Sequence, residues 1–229
     1  MEWSIRRLSG RAAGLHRVEH PEGSGRQVQV MDFEDGAVVL GSTQTPDLLD
    51  RSGVRAGGFD VVRRRSGGGV VLLVPGQTLW VDFLVPAGDP LWSEDVGRSF
   101  LWLGRLWASA LDHLGVKAVL GAGSTPDDLG RLVCFAAVHP GEITVGGRKV
   151  VGFSQRRTRS GSRFQSAALL RWDPDELLHV LDERQVRRVT ETVIPGGGGD
   201  ARSLLVDRVG ALGLEAAELV SALCSQLPI

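Results

Sequence analysis

The chain has 229 residues, 42% of them hydrophobic, and a formal net charge of −1, enough to bury one sizeable core and too evenly charged to argue for nucleic acid as a partner. Two cysteines, Cys134 and Cys224, argue against a disulfide framework or a cysteine-built zinc site. The first residues lack the apolar core of a signal peptide, and no run approaches the roughly 20 apolar residues of a membrane span, so a cytoplasmic protein with one domain over residues 1–229 and no membrane partner is expected.

In chain order, residues 10–18 read as a short helix, broken by His20-Pro21-Glu22-Gly23. Residues 27–33 and 37–40 read as strands joined through Glu34-Asp35-Gly36 as a hairpin. Residues 45–50 open a helix, with Thr45 as cap and Pro46 at its first position. Residues 59–64, 70–74 and 78–85 follow as strands. From 93 to 114, Phe100, Leu103, Leu106, Trp107, Leu111 and Leu114 recur at helical spacing, with Glu94 and Asp95 in the first turn and Gly115 as the stop. Trp102 and Trp107 are packing residues in that reading. Residues 116–120 and 131–137 are expected strands. Residues 142–145 and 148–153 flank Gly146-Gly147, a two-residue hairpin signal. Residues 163–172 continue the sheet, Asp173-Pro174 caps a helix, residues 196–199 form a glycine connector, and residues 214–227 form an amphipathic helix. Strands and helices without a βαβ rhythm give an α+β class.

Two segments stand out chemically. In Arg63-Arg64-Arg65-Ser66-Gly67-Gly68-Gly69, three glycines bare the backbone and open positive φ, so N–H groups can face a carboxylate or phosphate, and the arginines add fork-shaped donors. Gly146-Gly147-Arg148-Lys149-Val150-Val151-Gly152-Phe153-Ser154-Gln155-Arg156-Arg157 carries one of only two lysines, the other being Lys117. In a chain so biased toward arginine, Lys149 marks a place that needs a compact three-donor ammonium. Between residues 143 and 172 stand seven basic residues and no acid, which suits an anionic ligand, an acidic partner surface or a solvated strand face.

Together with Pro75-Gly76, these paired motifs resemble the catalytic domain shared by lipoate-protein ligases and octanoyl transferases, a relative of biotin ligases, over roughly residues 28–172. The resemblance implies a mixed sheet flanked by helices, as in class II synthetase and biotin ligase domains. It also implies an acyl pocket lined by Gln44 of the Gly41-Ser42-Thr43-Gln44 segment, and substrate contacts from Arg64, Arg65, Ser66, Gly67, Gly68, Gly69 and Gly152. The acyl group, lipoate or octanoate, would pass to a lysine on a lipoyl carrier domain or on the H protein of the glycine cleavage system. One departure is plain: where the family carries His-Gly on the strand after the lysine, residues 163–168 read Arg-Phe-Gln-Ser-Ala-Ala.

Two chemistries suit these residues. The one placed first is ligation through an acyl-adenylate, with ATP and Mg as cofactors and Lys149 stabilising negative charge on the acyl carbonyl and α-phosphate. The stretch after Trp172 is short for the extra domain that many such ligases carry. The alternative is a cofactor-free transfer through a thioester on Cys134, fifteen residues before Lys149, because a nearby ammonium favours the nucleophilic thiolate. Cys134 reads equally well as a small buried hydrophobe on a strand, and Cys224 as a packing residue. A non-catalytic lipoate- or adenylate-binding homologue is the third reading. His16, His20, His113, His139 and His179 show no metal-ligand spacing, and no metal is expected.

Overall fold

Period-two alternation in the long central strands decides which side chains form the core and which face the site. The computed structural model describes residues 2–18, 25–194 and 199–229. Among these, one sheet contains β1 (Trp3–Gly10), β2 (Arg26–Phe33), β6 (Thr78–Pro86), β10 (Gly161–Leu169), β9 (Arg148–Arg157), β8 (Ile143–Val145) and β7 (Val119–Leu120), in that spatial order. A second, smaller sheet is ordered β4 (Asp60–Arg63), β3 (Ala37–Leu40), β5 (Val71–Leu73). β1 is parallel to β2 and β4 to β3, and the remaining pairs are antiparallel. Around them lie α1 (Ala12–Leu15), α2 (Arg51–Ala56), α3 (Leu101–His113), α4 (Asp128–Leu132), α5 (Pro174–Val180), α6 (Glu183–Val193), α7 (Ala201–Arg208) and α8 (Ala216–Ser225). The result is the expected α+β mixed sheet flanked by helices. No helix among the described residues is long and apolar enough to cross a membrane.

On one face of the large sheet, Leu79, Val81 and Phe83 of β6 and Phe164 of β10 pack against Leu103, Trp107 and Leu111 of α3 and Leu219 of α8. Each such fully buried side chain contributes roughly 1.5–3 kcal/mol. The alternate residues face the other way: Trp80 packs with Val39 of β3 and Leu73 of β5, so the small sheet covers this second face and a cleft remains between the sheets.

Several local expectations hold. Gly146 and Gly147 both take positive φ, +57° and +79°, and close the β8–β9 hairpin. Asp173 accepts from the amide of Asp175 at 2.9 Å and starts α5 with Pro174. The long helix ends as expected but begins only at Leu101, because the Asp95 carboxylate binds the amide of Gly97 in a turn of its own.

Other expectations are corrected. Residues 27–40 are not a hairpin: β2 pairs with β1 and β6 while β3 joins the small sheet. Gly36 lacks the positive φ such a turn needs, and the Asp35 carboxylate accepts the amide of Ala12. Thr45 caps nothing with its side chain. Pro46 opens a single 3-10 turn, and the α-helix begins at Arg51, capped by Asp50 through the amides of Ser52 and Gly53. Residues 131–137 are not a strand. They comprise the end of α4, an extended Val133 that makes a single parallel bridge to Val70, and a 3-10 turn over Cys134–Ala136, where Lys149 claims the carbonyls of Cys134 and Ala137. The 196–199 connector falls mostly outside the described residues.

Candidate active site

Arg64 organises the glycine loop from within. It is buried and donates to the carbonyls of Gly67 (2.8 Å) and Gly69 (2.8 Å), drawing both oxygens inward. The amides of Gly67, Gly68 and Gly69 meet no backbone carbonyl among the described residues. Gly68 sits at φ +100°, where any Cβ is strained. A Cβ on Gly69 would collide with the backbone of Val133 and Cys134, so the missing side chain lets the loop lie directly on the cysteine turn. A Cβ on Gly68 would sit 3.9 Å from the Cys134 Sγ.

Lys149 holds that turn from behind. It is 0% exposed, and its Nζ donates to the carbonyls of Cys134 (2.9 Å) and Ala137 (2.9 Å) and pairs with Glu142 Oε2 at 2.7 Å. Three donors therefore meet three acceptors, the condition that makes a buried ammonium tolerable. The Glu142 carboxylate is satisfied in turn by the amides of His139 (2.7 Å) and Phe153 (3.0 Å). Nζ also stands 5.2 Å from the Phe135 ring centre. Gly152 makes room for this, since a Cβ there would come within 3.2 Å of Lys149 Cε and 3.5 Å of Phe135.

The cleft between the sheets holds about 460 Å³ of empty space, counting the part open to solvent. Cys134, Phe135, Gly152, Val39, Leu73 and Trp80 give it a largely apolar wall, and Arg64, His16, Gln165 and Ser166 add the polar groups. His16 packs on Trp80 with ring centres 4.3 Å apart. Burial, helped by the nearby Arg163 and Arg64 charges, pushes the His16 imidazole down to about 3, so it is neutral at ordinary pH. Cys224, by contrast, is on α8, where burial pushes its thiol up.

The structure thus brings Cys134, Arg64 and Gly152 to one cleft, with Gly68 beside the sulfur and Lys149 behind Gly152. Gln44 lies elsewhere: its amide bridges Gly41 N (3.0 Å) and the Leu132 carbonyl (3.1 Å), so it ties the strand end to α4. Ser66 is buried, with an Oγ that has no partner among the described residues, and Arg65 is exposed. Sequence reasoning missed His16, Trp80 and Glu142. Glu142 was within reach, since the Gly146-Gly147 hairpin folds it back toward the strand of Lys149. His16 was not, because it joins the site only through the fold. Among the described residues no group of histidines, cysteines or carboxylates is arranged to hold a metal ion.

Residues 21–196 match the family of lipoyl protein ligase A/B catalytic domains. The chain belongs to that family. An octanoyltransferase LipM from Macrococcus caseolyticus is 30% identical over 135 residues, 56% of this chain and 48% of its own. An octanoyltransferase LipM from Carboxydothermus hydrogenoformans is 32% identical over 124 residues, 54% of this chain and 45% of its own. The chain spans about half the length of the curated relatives it matches. In fold it is similar to the bi-partite lipoate protein ligase of Thermoplasma acidophilum, with TM-score 0.73, 18% identity, and coverage of 99% of this chain and 82% of that one. A lipoate-protein ligase A bound with ATP gives TM-score 0.73 at 19% identity, covering 99% and 84%.

Proposed function

We propose that this protein is an octanoyl transferase that works through a thioester on Cys134. The observation that carries the reading is the division of labour between Cys134 and Lys149. The cysteine lines the apolar cleft beside the glycine loop, while every Nζ donor of Lys149 is spent on Cys134 O, Ala137 O and Glu142. An adenylating enzyme needs that ammonium on the acyl carbonyl and phosphate, and in this arrangement it has no hydrogen left to offer. Here Lys149 is a positioning residue for the nucleophile's turn.

In the first step the Cys134 sulfur attacks the carbonyl of an octanoyl thioester on an acyl carrier. The S–acyl bond to Cys134 forms, the bond to the carrier sulfur breaks, and the cysteine proton ends on the released thiol. In the second step the amine of a lysine on a lipoyl domain or H protein attacks, an amide forms, and Cys134 regains a thiol. The unpaired amides of Gly67, Gly68 and Gly69 supply donors for the oxyanion. The acyl group arrives already activated, so neither ATP nor Mg takes part, and the cytoplasm keeps Cys134 reduced.

Intact mass of the protein after mixing with an octanoyl-loaded acyl carrier tests this. The expected outcome is an octanoyl adduct that hydroxylamine removes and that the Cys134→Ser protein never forms. No adduct, together with octanoate-dependent exchange of pyrophosphate into ATP, would return the chemistry to the adenylate.

A further inference from the structure

The cleft runs across the sheet, and its two ends are chemically different. Gly152 of β9 pairs with Ala167 of β10, and Ala167 with Trp80 of β6, so these three form a row spanning two inter-strand steps, roughly 9–10 Å. Cys134 and Phe135 stand at the Gly152 end, since Phe135 comes within 3.5 Å of a Cβ placed there. His16 stands at the Trp80 end, ring on ring. An extended eight-carbon acyl chain is roughly 9 Å long, from carbon–carbon bonds of about 1.5 Å in a zigzag, and spans this row.

We propose that His16 is the end wall of the acyl site and sets the length of acyl chain that the enzyme accepts. The proposal rests on the acyl-transfer reading and adds to it where the tail lies and which residue reads it. His16 is held too firmly to be an incidental neighbour. Arg163 donates to the carbonyls of Leu15 (2.9 Å), His16 (3.2 Å) and Val18 while pairing with the buried Asp82, and Asp82 accepts from the Trp80 indole at 2.6 Å. One network thus fixes both the backbone that presents the imidazole and the ring it lies on. Its Nε2 is buried with no partner among the described residues. Because the ring is neutral, it can border an apolar tail without bringing a charge there. It also supplies the cleft with an imidazole where Ser166 and Ala167 of β10, which line the same wall, carry none.

The test uses binding of free hexanoate, octanoate, decanoate and dodecanoate, read by calorimetry on the whole chain, so it does not depend on Cys134 chemistry. The wild-type protein is expected to favour octanoate. His16→Ala opens the end wall and should move the preference to decanoate or dodecanoate, with the affinity ratio over octanoate rising about tenfold, the scale of one or two methylenes in a fitted pocket. His16→Phe fills the end and should move the optimum to hexanoate. If the chain-length profile stays the same in both variants, even with affinity uniformly lowered, His16 is not the ruler. Should His16→Ala fail to fold, an unchanged profile in His16→Phe alone overturns the proposal. A shifted profile in a protein that never forms the Cys134 adduct would sink the thioester and leave His16 in place.

Discussion

Lys149 is where the chemistry of a single side chain is clearest. Nearly every other basic residue of this chain is arginine, and the site shows why arginine does not serve. The three acceptors, Cys134 O, Ala137 O and Glu142 Oε2, converge on a point, as an ammonium requires, whereas a planar fork needs its acceptors side by side. Lys149→Arg is therefore expected to lose adduct formation on Cys134 and to lower stability, measured by intact mass and by urea unfolding. Near-normal activity in that variant would remove Lys149 from the mechanism. Lys149→Met leaves Glu142 charged, 2% exposed and unpaired, which costs about 3–5 kcal/mol. Adding Glu142→Gln should recover a large part of that loss, since the cost belongs to the stranded charge and not to the missing pair. A double variant as unstable as the sum of the singles would mean that the two residues act separately. The rarity of lysine made this residue legible in the sequence, and its partner was within reach only through the Gly146-Gly147 hairpin, because a glutamate ahead of a short strand otherwise looks like any surface acid.

Turns and loops carry more of the site than the regular elements do. The glycine loop was readable because Gly-Gly-Gly after arginines has few structural uses, yet the roles within it were not. Arg64 turned inward to bind the loop's own carbonyls, which no spacing rule reveals. Gly68→Val places a Cβ at φ +100° and against Arg64 Nη2, so it is expected to abolish octanoate binding, while Ser66→Ala, which removes one unpartnered hydroxyl, should weaken it at most severalfold. Calorimetry with octanoate on both variants decides this, and equal, undiminished binding would make the loop an ordinary turn. The turn at Cys134 was misread for a definite reason. Leu132-Val133-Cys134-Phe135-Ala136-Ala137 is an unbroken apolar run, and apolar runs of that length read as buried strands. What prevents a longer strand is long-range: Val133 makes a single parallel bridge to Val70, and beyond it Lys149 takes the carbonyls of Cys134 and Ala137, so the pairing goes no further. By contrast Gly146-Gly147 and Asp173-Pro174 behave as read, because their signals act within four residues.

At the scale of the molecule, two sheets close on a cleft and the N-terminal segment seals one end of it, which ties acid stability to substrate recognition. His16 is the group through which the tie can be measured. In the unfolded chain its imidazole titrates near 6.5, and in the fold burial and the charges of Arg163 and Arg64 hold it down to about 3. Between those values the unfolded chain binds a proton that the folded chain does not, so stability rises with pH across this window and is lost on acidification from about 6.5 downward. Above 6.5 the group is neutral in both states and contributes no slope. From pH 7 to 4.5 the loss attributable to this residue is roughly 2–3 kcal/mol, at 1.36 kcal/mol per unit. The carboxylates held low by their partners, Asp50, Asp89 and Asp127 among them, give up their stabilisation mostly at lower pH and do so equally in a variant. Urea unfolding at pH 7 and 4.5 should therefore show a markedly smaller loss in His16→Gln than in the wild-type protein. Equal losses would mean that the imidazole accepts its proton in the folded state, and an end wall that charges so readily would not suit an apolar tail.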